Sequence, residues 1–105
     1  MSSSAPSSPR PLTMIAVLTA APGRRDELRA ALAALVAPTR QEPGCRDYRL
    51  FELSDEPGTF QMHEAFDDEA ALEAHRATPH FRAFEARAHE LLGAPLRLVK
   101  LTAVA

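Results

Sequence analysis

The chain has 105 residues, 46% of them apolar and 25% charged, with a formal net charge of −2. That is enough for one hydrophobic core, and it gives no large positive field for a phosphate backbone, so no nucleic-acid partner is expected. No apolar run reaches the roughly 18 residues that cross a bilayer, and the N-terminus lacks a basic stretch followed by an apolar one, which reads as a cytoplasmic protein with no membrane partner.

Residues 1–11, "MSSSAPSSPRP", hold five Ser and three Pro with almost nothing to bury, and read as a disordered tail ahead of a single domain over 12–105. In "LTMIAVLTAA", from Leu12, both alternating sets are apolar (Met14, Ala16, Leu18 and Ile15, Val17), as in a strand covered on both faces. After "PG", Leu28, Ala31, Leu32, Leu35 and Val36 recur at helical spacing, and this amphipathic helix is expected to fade between Pro38 and "EPG" at 42–44. "CRDYRLFELSD" and "TFQMHEAF", separated by "EPG" at 56–58, read as an antiparallel hairpin. In its second strand Phe60, Met62, Glu64 and Phe66 share a face, with Glu64 the odd polar member. Asp67 or Asp68 opens a helix that runs to Pro79, a second helix carries Phe81, Phe84, Ala88, Leu91 and Leu92, and "LRLVKLTAV" closes the chain as a strand.

The order βαββααβ is that of a ferredoxin-like α+β fold with a four-stranded antiparallel sheet and its helices on one face. Since the first strand is apolar on both sides, a second copy is expected to cover the open face, giving a homodimer with sheet packed on sheet.

Residues 63–84 hold three of the four His and three of the five Phe. His75 follows Leu72 by one helical turn, which can turn its ring toward the sheet face bearing Glu64 and Phe66. A neutral imidazole there would be a general base for a phenolic or enolic substrate; equally, it would tie helix to sheet through a hydrogen bond to a carbonyl or to Glu64. Glu64 is either a partner of Arg or His or a pocket acid, because an isolated buried carboxylate is costly. Tyr48, the one Tyr, either offers its hydroxyl to a substrate carbonyl or caps the sheet edge. His80, at a helix start, is expected to cap or face water; His63 to meet the dimer interface; His89 to be exposed. Phe60, Met62, Phe81 and Phe84 read as core that can line whatever cavity the core leaves. The single Cys45 cannot close an internal disulfide and reads as a small buried side chain.

The spacing of His75 and His80 around Pro79 matches no zincin or cupin pattern, so no metal is expected. With four Gly and no G-x-G pattern there is no nucleotide loop, and there is no G-x-S-x-G elbow. No cofactor is therefore expected.

The stretches "PGRRDELRAAL" at 22–32, "EPGCRDYRLF" at 42–51 and "FQMHEAFDDEAALEAHRATPHFRAF" at 60–84 resemble the antibiotic biosynthesis monooxygenase family over about residues 13–103. The resemblance implies a dimeric α+β barrel with a small pocket between each sheet and its own helices, to which Tyr48, Glu64, Phe66, Phe81, Phe84 and Glu85 would contribute around His75. It also implies cofactor-free oxidation of an anthrone-like polyketide or a quinol by dioxygen, or else a non-catalytic ligand-binding protein or an isomerase of a small carbonyl compound. Phe66 stands where the family usually has Trp. Haem-degrading members carry Asn, Trp and an iron-binding His where this chain has Ala16, His75 and Glu85, so haem is not implied.

Overall fold

The first strand sets the architecture. The computed structural model describes residues 11–105, and the expected Ser/Pro-rich tail falls outside the described residues except for Pro11. β1 (Leu12–Thr19) pairs antiparallel with β3 (Thr59–Phe66) on one side and with β4 (Arg97–Leu101) on the other, and β2 (Cys45–Glu52) pairs with β3 at the far edge, giving the order β2-β3-β1-β4. With α1 (Arg25–Arg40), α2 (Glu69–Arg76) and α3 (Pro79–Leu91) in between, this is the expected α+β ferredoxin-like βαββααβ fold.

The pleat of β1 sorts its side chains. Met14, Ala16 and Leu18 are buried under the helices, while Ile15 and Val17 lie half-buried on the open face. In β3 the row Phe60, Met62, Glu64, Phe66 faces the helices and is wholly buried. α1 supplies Leu28, Leu32 and Leu35 to the same layer, and α3 supplies Phe84 and Leu91. Each such side chain contributes roughly 1.5–3 kcal/mol by leaving water, so this one layer dominates the stability of the domain.

Local chemistry ends the elements where the sequence allows. Asp68, not Asp67, caps α2 by accepting from the Ala71 N–H at 2.9 Å, and Thr78 caps α3 by accepting from Phe81 N–H at 3.2 Å, with Pro79 in the first turn. α1 runs to Arg40, between Pro38 and the turn at 42–44, as expected. Pro38 removes one bond near a helix end, and the Arg40 guanidinium, donating to the Tyr48 carbonyl at 3.0 Å, ties the last turn to β2. Cys45 is half-buried, not buried, because it opens β2 at a bulge beside Asp47.

Gly44 sets the path between α1 and β2. A Cβ there would collide with the Cβ of Ala71 on α2, so only glycine lets this loop rest on that helix, where the Gly44 carbonyl accepts from Asp67 N–H at 2.8 Å.

Candidate functional site

Beneath α2 and α3 the sheet leaves a cavity of about 210 Å³. Its floor is Met14 and Ala16 of β1 and Met62 of β3, Leu98 of β4 closes one side, and Leu72, Phe81 and Phe84 form the roof. Against this apolar wall stand five polar side chains: Tyr48, Glu64, His75, Arg76 and Glu85. Of the residues expected around a pocket, Tyr48, Glu64, His75, Phe81, Phe84 and Glu85 thus share one cavity. Phe66 does not: it is fully buried behind His75, with ring centroids 5.0 Å apart, because the end of β3 lies beneath the start of α2.

His75 is 1% exposed, clasped by the rings of Phe66, Phe81 and Tyr48 at centroid distances of 5.0, 5.0 and 5.5 Å. Its Nδ1 meets the Glu42 carboxylate at 3.0 and 3.1 Å. A carboxylate offers only acceptor oxygens, so Nδ1 carries the proton and donates. Nε2 then holds the lone pair, and among the described residues no hydrogen-bond partner takes it; with Glu42 outside the cavity wall, Nε2 is the nitrogen left to the cavity. Burial holds the imidazole below the ordinary histidine pKa, outweighing the hydrogen bond and charge of Glu42, and nearby His80 and Arg76 add to the downward push. His75 is therefore a neutral ring at pH 7.

The anchoring of His75 departs from the sequence reading, which gave it a carbonyl or Glu64. Glu42 does this work, and it also accepts from Nε2 of His80 at 2.6 Å. His80 accordingly neither caps α3 nor simply faces water. Its place in the first turn of α3 points it back at the loop of Glu42, and its side chain is 23% exposed.

Glu64 makes no hydrogen bond or ion pair among the described residues, and of its two expected places, as a partner of Arg or His or as an acid in the pocket, it takes the second. Burial pushes its carboxyl up to about 7, the charge of Arg76 opposing and that of Glu42 adding to the rise. Burial, with Glu64 next in effect, pushes the Tyr48 hydroxyl far above the ordinary phenol range, so Tyr48 is a fixed donor and not a base. The cavity thus presents a neutral imidazole lone pair, a phenol O–H, a carboxyl poised near neutrality and a guanidinium, a set suited to moving one proton at an apolar ligand.

Sequence reasoning missed Glu42, Arg76, Leu96 and Leu98. Arg76 had a signal, its adjacency to His75. Glu42 had only the "EPG" turn. Elsewhere, His63 lies on the open sheet face against Phe51, with centroids 4.7 Å apart, and His89 is exposed as expected.

A helix-roofed apolar chamber on a ferredoxin-like sheet defines a class of small single-domain α+β proteins, and comparison narrows the class. The profile of the antibiotic biosynthesis monooxygenase family matches residues 11–87, and the chain belongs to that family. It is 38% identical over 91 residues to "Putative monooxygenase Rv0793" of Mycobacterium tuberculosis, covering 87% of this chain and 89% of that one. It is 39% identical over 89 residues to "Putative monooxygenase YcnE" of Bacillus subtilis, covering 85% and 94%. Among solved structures, PA3566 from Pseudomonas aeruginosa superposes with a TM-score of 0.86 at 42% identity, over 90% of this chain and 95% of that one.

Proposed function

We propose that the protein is a cofactor-independent monooxygenase that oxidises a small electron-rich aromatic, a quinol or an anthrone-like ring system, with dioxygen. The observation that carries this reading is His75, neutral and fixed by Glu42 through Nδ1, with Nε2 left to an apolar cavity. Nε2 takes the phenolic or enolic proton, and the resulting anion is electron-rich enough to pass an electron to dioxygen without a metal or flavin. For a ring methylene the balance is CH2 + O2 → C=O + H2O. The Tyr48 hydroxyl and Arg76 guanidinium hold the developing oxyanion, and the carboxyl of Glu64 hands a proton to the oxygen that leaves as water. A volume of about 210 Å³ falls below the roughly 300–1,000 Å³ of sites for drug-sized ligands, which, between the two substrates, favours a one- or two-ring quinol over the three-ring anthrone.

The reading includes a homodimer. Ile15, Val17 and Val99 lie half-buried on the open face, and Phe51 and Leu101, on the same face, are 44% and 45% exposed. A second sheet of the same kind covers that row most simply. Sedimentation equilibrium tests it, a monomer at micromolar concentration being the contrary result.

Oxygen uptake by metal-free protein, offered a panel of benzene- and naphthalene-diols and anthrones against a protein-free blank, tests the chemistry. Uptake matched by quinone formation, and lost in His75→Ala, supports it. Ligands that raise Tm without being consumed would instead make this a binding protein, and turnover without oxygen would make it an isomerase.

A further inference from the structure

We infer that Glu42, His75 and His80 form a binding site for a divalent first-row transition ion of the zinc class. The three side chains come from the α1–β2 loop, the last turn of α2 and the first turn of α3, and one donor atom from each lies within 4.8 Å of the other two. Two imidazole nitrogens and a carboxylate oxygen are the donors that zinc-class ions take at about 2.0–2.2 Å, leaving a fourth position for water. Tetrahedral donors on such an ion sit about 3.3–3.6 Å apart, by the same bond lengths. Oε2 of Glu42 stands 2.6 Å from His80 Nε2 and 3.0 Å from His75 Nδ1. The His75 edge needs to open by about 0.3–0.6 Å and the His80 edge by about 0.7–1.0 Å, which side-chain torsion supplies. The side chains are 2%, 14% and 23% exposed for His75, Glu42 and His80, so the cluster is closed toward the core and reachable past His80.

The spacing of His75 and His80 alone gave no reason to expect a metal. The third donor comes from a residue 33 positions before His75, brought in by the approach of Gly44 to Ala71.

Filling this site reverses the face that His75 shows to the cavity. With an ion on Nδ1, the ring's one proton moves to Nε2, so the atom that would accept a substrate proton becomes a donor; His80 likewise keeps one proton, on Nδ1. No redox step is involved. The ion sits behind the imidazole and acts as an inhibitor of the base. This consequence rests on the proposed oxidation, whereas occupancy of the site does not.

The test is titration of chelator-stripped protein with Co2+, followed by visible d–d absorption, and with Zn2+, followed by calorimetry and Tm. One ion per chain is expected, with affinity at least tenfold weaker in His80→Ala and in Glu42→Gln, and a Zn2+-dependent rise in Tm in the parent only. No saturable Co2+ absorption, or binding unchanged in His80→Ala, overturns the site. Should His80→Ala lower Tm without metal, imidazole resonances of the parent protein decide. Zn2+ shifting His75 and His80 supports the site, and Zn2+ shifting only His63 or His89 overturns it. Oxygen uptake separates the two readings. Zn2+ that binds here while stripped protein oxidises nothing removes the oxidation and leaves the site, and oxidation that is indifferent to Zn2+ in protein that binds none removes the site and leaves the oxidation.

Discussion

Nδ1 of His75 lies 3.0 Å from a carboxylate oxygen of Glu42, a residue on a different element and 33 positions earlier in the chain. This pairing fixes both the tautomer of the ring and its tilt, so the proposed base depends on a loop residue outside the cavity. In Glu42→Gln the amide can still accept from Nδ1, but it lacks the negative charge that supports an imidazolium. kcat for oxidation is expected to fall about 10- to 100-fold, as for partners that orient a ligating or catalytic His, with KM nearly unchanged. Glu42→Ala leaves the Nδ1–H buried without an acceptor and should cost about 1–3 kcal/mol in urea unfolding. Parent kcat in Glu42→Gln would show that the carboxylate serves packing alone.

The close approach of Gly44 to Ala71 is what delivers Glu42 to that position, and it can be tested without touching any polar group. Gly44→Ala should destabilise the domain by about 1–3 kcal/mol, since the added methyl meets the Ala71 methyl and must push the loop off α2. Ala71→Gly alone should cost about 1 kcal/mol of helix propensity. In the double variant the two changes should cancel in part, giving a coupling energy above about 0.5 kcal/mol by denaturant unfolding. Strict additivity would mean that the loop does not rest on the helix.

Much of the fold was legible because it is written in periodicity. β1, apolar on both alternating sets, and β3, with its single polar interruption at Glu64, declare their buried faces directly, and Gly and Pro punctuate the helices. The end of α1 was legible for the same reason, since Pro38 and the turn at 42–44 bracket Arg40. His75 could be picked out because a helix places it one turn from Leu72. Glu42 could not: its role depends on a glycine clearing an alanine methyl, and no short-range pattern encodes that. Phe66 shared a face with Glu64 and was therefore drawn into the pocket, but its position at the strand end puts it behind His75.

Glu64 gives the protein a stability that depends on pH. Its carboxyl titrates at about 7 in the folded chain, against 4.5 for an unburied one. Between these values the folded state binds the extra proton, so stability falls as pH rises through the window, then levels off above 7. The shift corresponds to about 3 kcal/mol at one pKa unit per 1.36 kcal/mol. Glu64→Gln keeps the shape and removes the titration. Burial of His75 acts in the opposite direction over the same range, so the test is the difference: from pH 5 to pH 8 the parent should lose about 3 kcal/mol relative to Glu64→Gln in urea unfolding. A parent-to-variant difference unchanged from pH 5 to pH 8 would mean that Glu64 is solvated.

Ala16 lies at the centre of β1, opposite Met62 on one side and Leu98 on the other, 5% exposed and with its methyl on the cavity floor. A larger side chain there grows into open space and not into packed neighbours, so Ala16→Leu should fill part of the cavity and leave Tm within a few degrees of the parent value or raise it. Because His75, Glu42 and Glu64 are untouched, any loss of function would come from volume alone. Two-ring substrates should lose at least tenfold in kcat/KM while one-ring diols lose less, and measuring both on the folded variant checks it. If the two fell together, substrate would be meeting His75 by another route; if neither fell, the ligand would sit outside this cavity, and the place of Nε2 on its wall would carry no chemistry.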